Sequence, residues 1–352
     1  MELLQLFSSQ EIVGLSWQHL FVNALKEKYG LKIVTFDEFD KGDSLYLLEQ
    51  IGRRIKDADI VLLDSIMTRG SITNYLFNTI PLSDLGIACS LIYYSINKSL
   101  FDLNKTSIGV RSFGEKSITS KLDLPSIANS LGVPVPNTIR LSDIWSAYID
   151  FPVRVKPIYG SMGKDNFALK SRTIDGILLE IEDGLAKNGY VDFSDYILQE
   201  EYEPLSNIRS ILRFLVCGKE VLHGVIYYTN SQSCNVNGAE SLGVIPLIND
   251  YTPQNKIEAQ LLNDYRNIDL AQIYSYAGKI GEHGIENGNP VLAVEFTVDK
   301  KTGRVGCIDV NTEFRTNMFY PFYTSKENFN KLLISEGIGK CVADSYMRQT
   351  KL

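Results

Sequence analysis

The period of the apolar positions changes several times along this 352-residue chain. In residues 1–100, short apolar runs alternate with amphipathic stretches. Residues 31–36 (LKIVTF) and 59–63 (DIVLL) predict buried strands, and residues 88–94 (ACSLIYY) predict a third. Residues 17–29 and 45–56 carry the helical period. Strands alternating with helices predict a parallel sheet covered on both faces. No GxGxxG follows the first strand, so a dinucleotide fingerprint is excluded. The reading of residues 1–100 is then a scaffold that helps bind a substrate.

Beyond residue 115 the pattern becomes mixed. Residues 115–137 (EKSITSKLDLPSIANSLGVPVPN) predict a helix ending at Leu131, with Pro125 in its first turn. Gly132 stops it, and Pro134 and Pro136 force an extended exit. Residues 151–156 (FPVRVK) alternate like a strand, 158–163 (IYGSMG) read as a loop, and 166–170 (NFALK) return as a second strand. A helix is predicted over 174–188. A strand over 196–199 runs into the acidic segment 200–203. Residues 213–217 and 221–228 predict two strands around the turn Gly218–Lys219. The polar stretch 229–256 lacks a period and reads as a long loop, functional or disordered. Residues 257–283 carry a helical pattern, 291–298 and 305–310 predict strands around a turn at 299–303, and 326–350 predict a last helix. No internal repeat or low-complexity tract is present.

Composition narrows the function. The formal net charge is −7, which disfavours a nucleic-acid backbone as partner. Cys89, Cys217, Cys234, Cys307 and Cys341 show no metal or disulfide spacing, and His19, His223 and His283 lie far apart. Reduced thiols and a cytoplasmic setting are expected, with no zinc site. The N-terminal stretch has no basic region followed by a long apolar core, so a signal peptide is not expected. No apolar run reaches the roughly 20 residues that span a bilayer.

Three constellations carry chemistry. In the first, a strand delivers Lys156 beside a loop with Gly160, Ser161 and Gly163. Lysine offers phosphate oxygens a point charge, and glycines let backbone N–H groups approach them. The spacing is not that of a P-loop. In the second, two strands carry Glu295 and Asp309, with Asn311 two residues after the aspartate and hence on its face. Both acids sit in apolar runs, where an unpaired carboxylate is costly, so a bound cation such as magnesium explains them economically. The third is YILQEEYEP, residues 196–204, where a strand ends in an acidic bend suited to a purine and a ribose.

In their order and spacing these elements resemble the ATP-grasp superfamily of carboxylate–amine ligases. The resemblance covers about residues 105–320 and rests on Lys121, Lys156, Gly160–Gly163, Gln199–Glu203, Arg213, Glu295, Asp309 and Asn311. It implies an α/β (α+β) protein: a Rossmann-like N-terminal domain over 1–104, then a two-lobed grasp fold. The central subdomain would span 105–198 and the C-terminal subdomain 199–352, with ATP between two antiparallel sheets. It also implies that Lys121 and Lys156 grip the phosphates. Lys116 competes with Lys121, because Glu115 precedes it as an acid often does in the family; the distance to Gly132 favours Lys121. Gln199, Glu200, Glu201, Tyr202 and Glu203 would form the adenine hinge, with Glu200 or Glu203 on the ribose. Glu295, Asp309 and Asn311 would bind Mg2+, and Arg213 and Arg315 would serve the transferred phosphate. Four departures stand out: a glycine loop short of glycines, Glu and Asp exchanged between the metal strands, a hinge without a clear match to the usual ribose acid, and NTEFR in place of a shorter N-P-R-like segment.

The implied activity is ATP-dependent activation of a carboxylate as an acyl phosphate, then capture by an amine to form an amide or peptide bond. Loops 158–165 and 229–256, the latter with Asn235, Asn237 and Gly238, would cover the site. The rival readings are a grasp-fold kinase that stops at phosphorylation and a nucleotide-binding protein without turnover. The implied partners are small carboxylates and amines, amino acids or peptides, with no nucleic acid and no membrane. A homodimer is compatible with them.

Overall fold

A computed structural model describes residues 1–8, 17–40, 42, 44–63, 65–77, 79–103, 105–108, 117–144, 148–149, 152–158, 166–171, 173–185, 193–205, 208–229, 242–247, 251–287, 289, 291–311 and 338–350. Three sheets organise them.

The first sheet is parallel. Strands β1 (Glu2–Gln5), β2 (Lys32–Thr35), β3 (Ile60–Leu62) and β4 (Thr106–Ile108) lie in the order β2-β1-β3-β4. Helices α1 (Trp17–Tyr29), α2 (Ser44–Asp57), α3 (Ser65–Leu76) and α4 (Leu82–Asp102) fill the connections. Successive strand residues face opposite ways. Leu3, Ile60 and Leu62 meet Phe21 and Leu25 of α1 on one face. Leu4, Val34 and Val61 meet Leu47, Ile72 and Ile92 of the other helices on the opposite face.

The strand expected over 88–94 is instead the middle of α4. Leu85, Cys89, Ile92, Ile96 and Leu100 recur at helical spacing and are buried. Ile87, Leu91 and Tyr94, which complete the apolar run, are exposed. A helix apolar on two sides reads in sequence like a buried strand.

The second sheet, β5 (Thr138–Arg140), β6 (Val153–Pro157), β7 (Phe167–Leu169) and β8 (Tyr196–Glu200), is antiparallel in the order β5-β8-β6-β7. Val153, Val155, Leu169 and Leu198 pack under α6 (Ile174–Leu185) through Ile177 and Ile181. The alternate residues of β6, Arg154 and Lys156, therefore occupy the other face. Before this sheet, α5 (Leu124–Ser130) carries Pro125 in its first turn, and Gly132 follows it at φ +66°, as the sequence predicts.

The third sheet is antiparallel, in the order β11-β10-β9-β12-β13. Its strands are β9 (Arg209–Cys217), β10 (Glu220–Thr229), β11 (Leu242–Pro246), β12 (Val291–Val298) and β13 (Val305–Asn311). Strand β11 falls inside the stretch read as one long loop. The helical pattern over 257–283 is two helices, α7 (Lys256–Asp264) and α8 (Leu270–Glu286). The break is local chemistry: the Asp269 side chain caps α8 by accepting from the Gln272 N–H at 3.0 Å. One face of this sheet packs on α5, α7 and α8. The other joins α9 (Ile338–Thr350), α1 and the first sheet in one core. There Phe21 and Tyr346 meet edge to face, with centroids 6.2 Å apart.

Gly278 and Gly281 let α8 sit against the β9–β10 turn, and Gly284 lets it approach Leu292 and the Asn289 carbonyl. A Cβ at Gly281 would overlap the Gly218 carbonyl oxygen, which is backbone. Gly281→Ala is expected to destabilise the fold by about 2–3 kcal/mol. Gly52→Ala in α2, where a Cβ meets nothing within 4 Å, is expected to stabilise by about 0.5–1 kcal/mol. Urea midpoints at unchanged slope check both.

His223 on β10 has its Nε2 shut off from solvent, and burial lowers its pKa to about 4. The unfolded chain binds that proton near pH 6.5 and the folded chain resists it, so stability falls as pH drops from about 6.5 to about 4. His223→Phe is expected to flatten that part of a stability–pH curve, by about 2–3 kcal/mol at pH 4.

Candidate functional site

Strand register assembles the site. On the third sheet, Glu295 of β12 lies directly opposite both Arg213 of β9 and Asp309 of β13. Residues opposite each other in neighbouring strands share a face, so Arg213, Glu295 and Asp309 form one row across three strands. Asn311 stands beside it, opposite Ala293. The flanking row on that face, Leu215 and Ala293, belongs to the apolar core shared with Phe7, Phe21 and Tyr346. The charged row thus borders a dry wall. A bulge in β13 after the Glu295–Asp309 pair ends the regular register.

Ion pairs cross this row. Arg213 Nη1 lies 3.0 Å from Glu295 Oε1, with the Tyr227 ring 5.7 Å from its guanidinium. Lys121 Nζ lies 3.4 Å from Asp309 Oδ1. Burial pushes the Glu295 carboxyl above its usual range, Arg213 pulls it down, and Asp309 pushes it up again. Two carboxylates and an amide on one face, in a place where burial disfavours carboxylate charge, fit a divalent cation. Among the described residues no three His, Cys, Asp or Glu side chains cluster to hold a metal, so the set here is two acids and Asn311.

The second sheet supplies the facing cations. Lys156, buried, donates to Gln199 Oε1 at 2.5 Å. The segment bearing Lys121 is fastened to the same sheet by its N–H, which donates to the Ile158 carbonyl at 3.2 Å. The charges of Lys121 and Lys156 both act on Glu295. Three cationic side chains thus oppose two acids, and the surplus is positive, as an anionic ligand requires.

The expected hinge, Gln199–Glu203, is the end of β8 and the chain that leaves it toward β9. The Glu201 N–H donates to Pro152 O, the Glu203 N–H to Asp299 Oδ1, and the Lys300 N–H to Glu203 O. Glu200 accepts from the Asn137 N–H at 3.2 Å. Glu203 pairs with Lys301 at 3.0 Å on an exposed edge. Tyr202 is buried and receives a hydrogen bond from Arg304 at 3.2 Å.

Sequence reading gave no role to Arg154, which the structure makes central to the hinge. Arg154 Nη2 donates to Glu201 Oε1 at 2.7 Å, Arg154 Nη1 donates to Asn166 at 3.1 Å, and Arg209 pairs with the same Glu201 oxygen. Glu201 therefore links β6 to the start of β9. The available signal was the spacing of Arg154 and Lys156, two apart on one strand. Gly160, Ser161, Gly163, Arg315, Lys116, Asn235, Asn237 and Gly238 lie outside the described residues. Cys89, Cys217 and Cys307 are free and buried. No helix of the described residues is long and apolar enough to cross a membrane.

No family model matches the sequence, and no curated protein is similar to it. Solved structures are similar. The D-alanine–D-alanine ligase of Bacillus anthracis aligns at a TM-score of 0.51 and 13% identity, over 99% of this chain and 96% of that one. The same enzyme complexed with ATP aligns at 0.50 and 13%, over 100% and 99%. At such identity the likeness speaks for fold alone. Two antiparallel sheets and a parallel α/β sheet align with it over nearly the whole length, and the chain has an ATP-grasp fold.

Proposed function

We propose that this protein binds ATP between its two antiparallel sheets and uses it to activate a carboxylate for amide formation. The observation that carries this reading is the row Arg213–Glu295–Asp309 with Lys121 and Lys156 opposite it. On this reading Lys121 and Lys156 hold the triphosphate, and the loop with Gly160, Ser161 and Gly163 covers it. Glu295, Asp309 and Asn311 hold magnesium, which when bound neutralises charge on the phosphate oxygens. The hinge from Gln199 to Glu203 receives the adenine. The parallel sheet β1–β4, whose last strand carries the expected 1–104 unit on to Ile108, would be the Rossmann-like domain that completes the acceptor side, and the residues from there to 198 and 199–352 would be the two lobes.

The protein's own work is positioning and electrostatics. A substrate carboxylate attacks the γ-phosphorus, and ADP leaves. An amine then attacks the acyl carbon of the acyl phosphate, and phosphate leaves. Arg213, fixed by Glu295 and buried beside an apolar wall, offers a preorganised positive charge where the phosphoryl oxygens gather charge. That wall also keeps water from the acyl phosphate. Arg315 would act on the same group.

The test is phosphate release from ATP with pooled amino acids and short peptides. Release that requires both a carboxylate and an amine is expected, with Asp309→Asn slower by about 10²-fold or more. Release with a carboxylate or hydroxyl compound alone, giving a stable phosphorylated product, would make the protein a kinase. ATP binding without turnover across the panel would remove the ligase reading.

A further inference from the structure

The exposed side of α4 has no role in the nucleotide site. Its buried residues seal the first sheet, and its outer side is apolar as well: Ile87 is 66% exposed, Leu91 62% and Tyr94 54%. At about 100° per residue these three fall on one stripe with Asp84 at one end and Lys98 at the other, both exposed. Ala88 and Ser95 lie on the same stripe and are half-buried. The Ser95 hydroxyl is turned back onto the helix, donating to the Leu91 carbonyl at 2.9 Å. The stripe is thus three large apolar side chains, two small gaps and two opposite charges.

We propose that α4 is a homodimerisation helix that pairs antiparallel with α4 of a second copy across a two-fold axis at Leu91. The register argues for this occupant. A two-fold centred on residue 91 sets Leu91 on Leu91, Ile87 over Ser95, Tyr94 over Ala88 and Asp84 opposite Lys98. Ile87 and Tyr94 then each meet a small residue, Leu91 meets its own copy on the axis, and each charge meets its opposite, twice over. An isologous contact requires such self-complementarity. A membrane surface would instead call for a basic polar face, and this stripe carries a single lysine, paired with Asp102 at 2.6 Å. One helix face is a small interface, so dissociation in the micromolar range is expected. The nucleotide reading plays no part in this proposal.

Sedimentation equilibrium on the full-length chain from about 1 to about 100 µM, the span that brackets a micromolar constant, tests it. Wild type is expected to go from monomer to dimer over that range. Leu91→Glu is expected to weaken dimerisation at least about 30-fold, as for a central anchor, with an unchanged melting temperature because residue 91 is exposed. Asp84→Lys should weaken it, and Asp84→Lys combined with Lys98→Asp should restore it. Leu179→Glu, at an exposed leucine of α6, should leave it unaltered. A wild-type chain that stays monomeric at the top of that range, or a dimer indifferent to Leu91→Glu, overturns the proposal. So does binding of another protein at α4 in a chain that does not self-associate.

Discussion

Arg213→Met is expected to cost the folded protein about 3–5 kcal/mol at neutral pH in the absence of nucleotide. Arg213 is 6% exposed and holds Glu295 at 3.0 Å. Methionine fills the space but removes the charge. Glu295 then faces Asp309 across the strand pair with burial already pushing its carboxyl up. The loss is a buried carboxylate stripped of its contact partner, with only the more distant charges of Lys121 and Lys156 left to it, a far larger effect than a broken surface pair. Its pH dependence follows. A folded-state pKa raised above the unfolded value of about 4.3 means the folded chain binds the extra proton, so stability falls as pH rises through that interval. The variant should be nearest to wild type at acid pH. Adding Glu295→Gln to Arg213→Met should recover most of the loss. If urea unfolding shows that Arg213→Met costs as much with Glu295→Gln present as without it, the pair is not coupled.

Lys156→Met is expected to weaken ATP about 10- to 100-fold, the range for losing one charge-assisted contact. Its stability should change less than that of Arg213→Met, because the hydrogen bond it loses is to the neutral amide of Gln199. Lys156→Arg should bind better than Lys156→Met but below wild type, since a planar fork replaces a point charge. Calorimetric titration with a non-hydrolysed ATP analogue reads the affinities. An Lys156→Met affinity within twofold of wild type would remove this lysine from the phosphate site.

Much of this was legible because it depended on local period and strand spacing. The strands bearing Lys156, Glu295 and Asp309 and the turn at Gly218 follow from alternation, and so does the shared face of Asp309 and Asn311. What escaped depends on who pairs with whom. Nothing local says that Glu295 has Arg213 on one side and Asp309 on the other; that is register between strands distant in sequence. Arg154 escaped for the same reason, since its partner Glu201 lies beyond two strands and a helix. The short parallel strands β1 and β4 carry too few residues to show a period, and α4 was misread because both its faces are apolar. Exposed Leu91 and buried Ile92 look alike in sequence, and only packing tells them apart.

The central claim is a magnesium–ATP site between the second and third sheets, and titration of ATP with and without Mg2+ into wild type and Asp309→Asn tests it most directly. The account predicts that wild type binds ATP, that Mg2+ tightens binding at least about tenfold, and that Asp309→Asn loses most of this gain while staying folded. Wild type that binds no ATP, or a variant whose Mg2+-dependent affinity equals that of wild type, would contradict it.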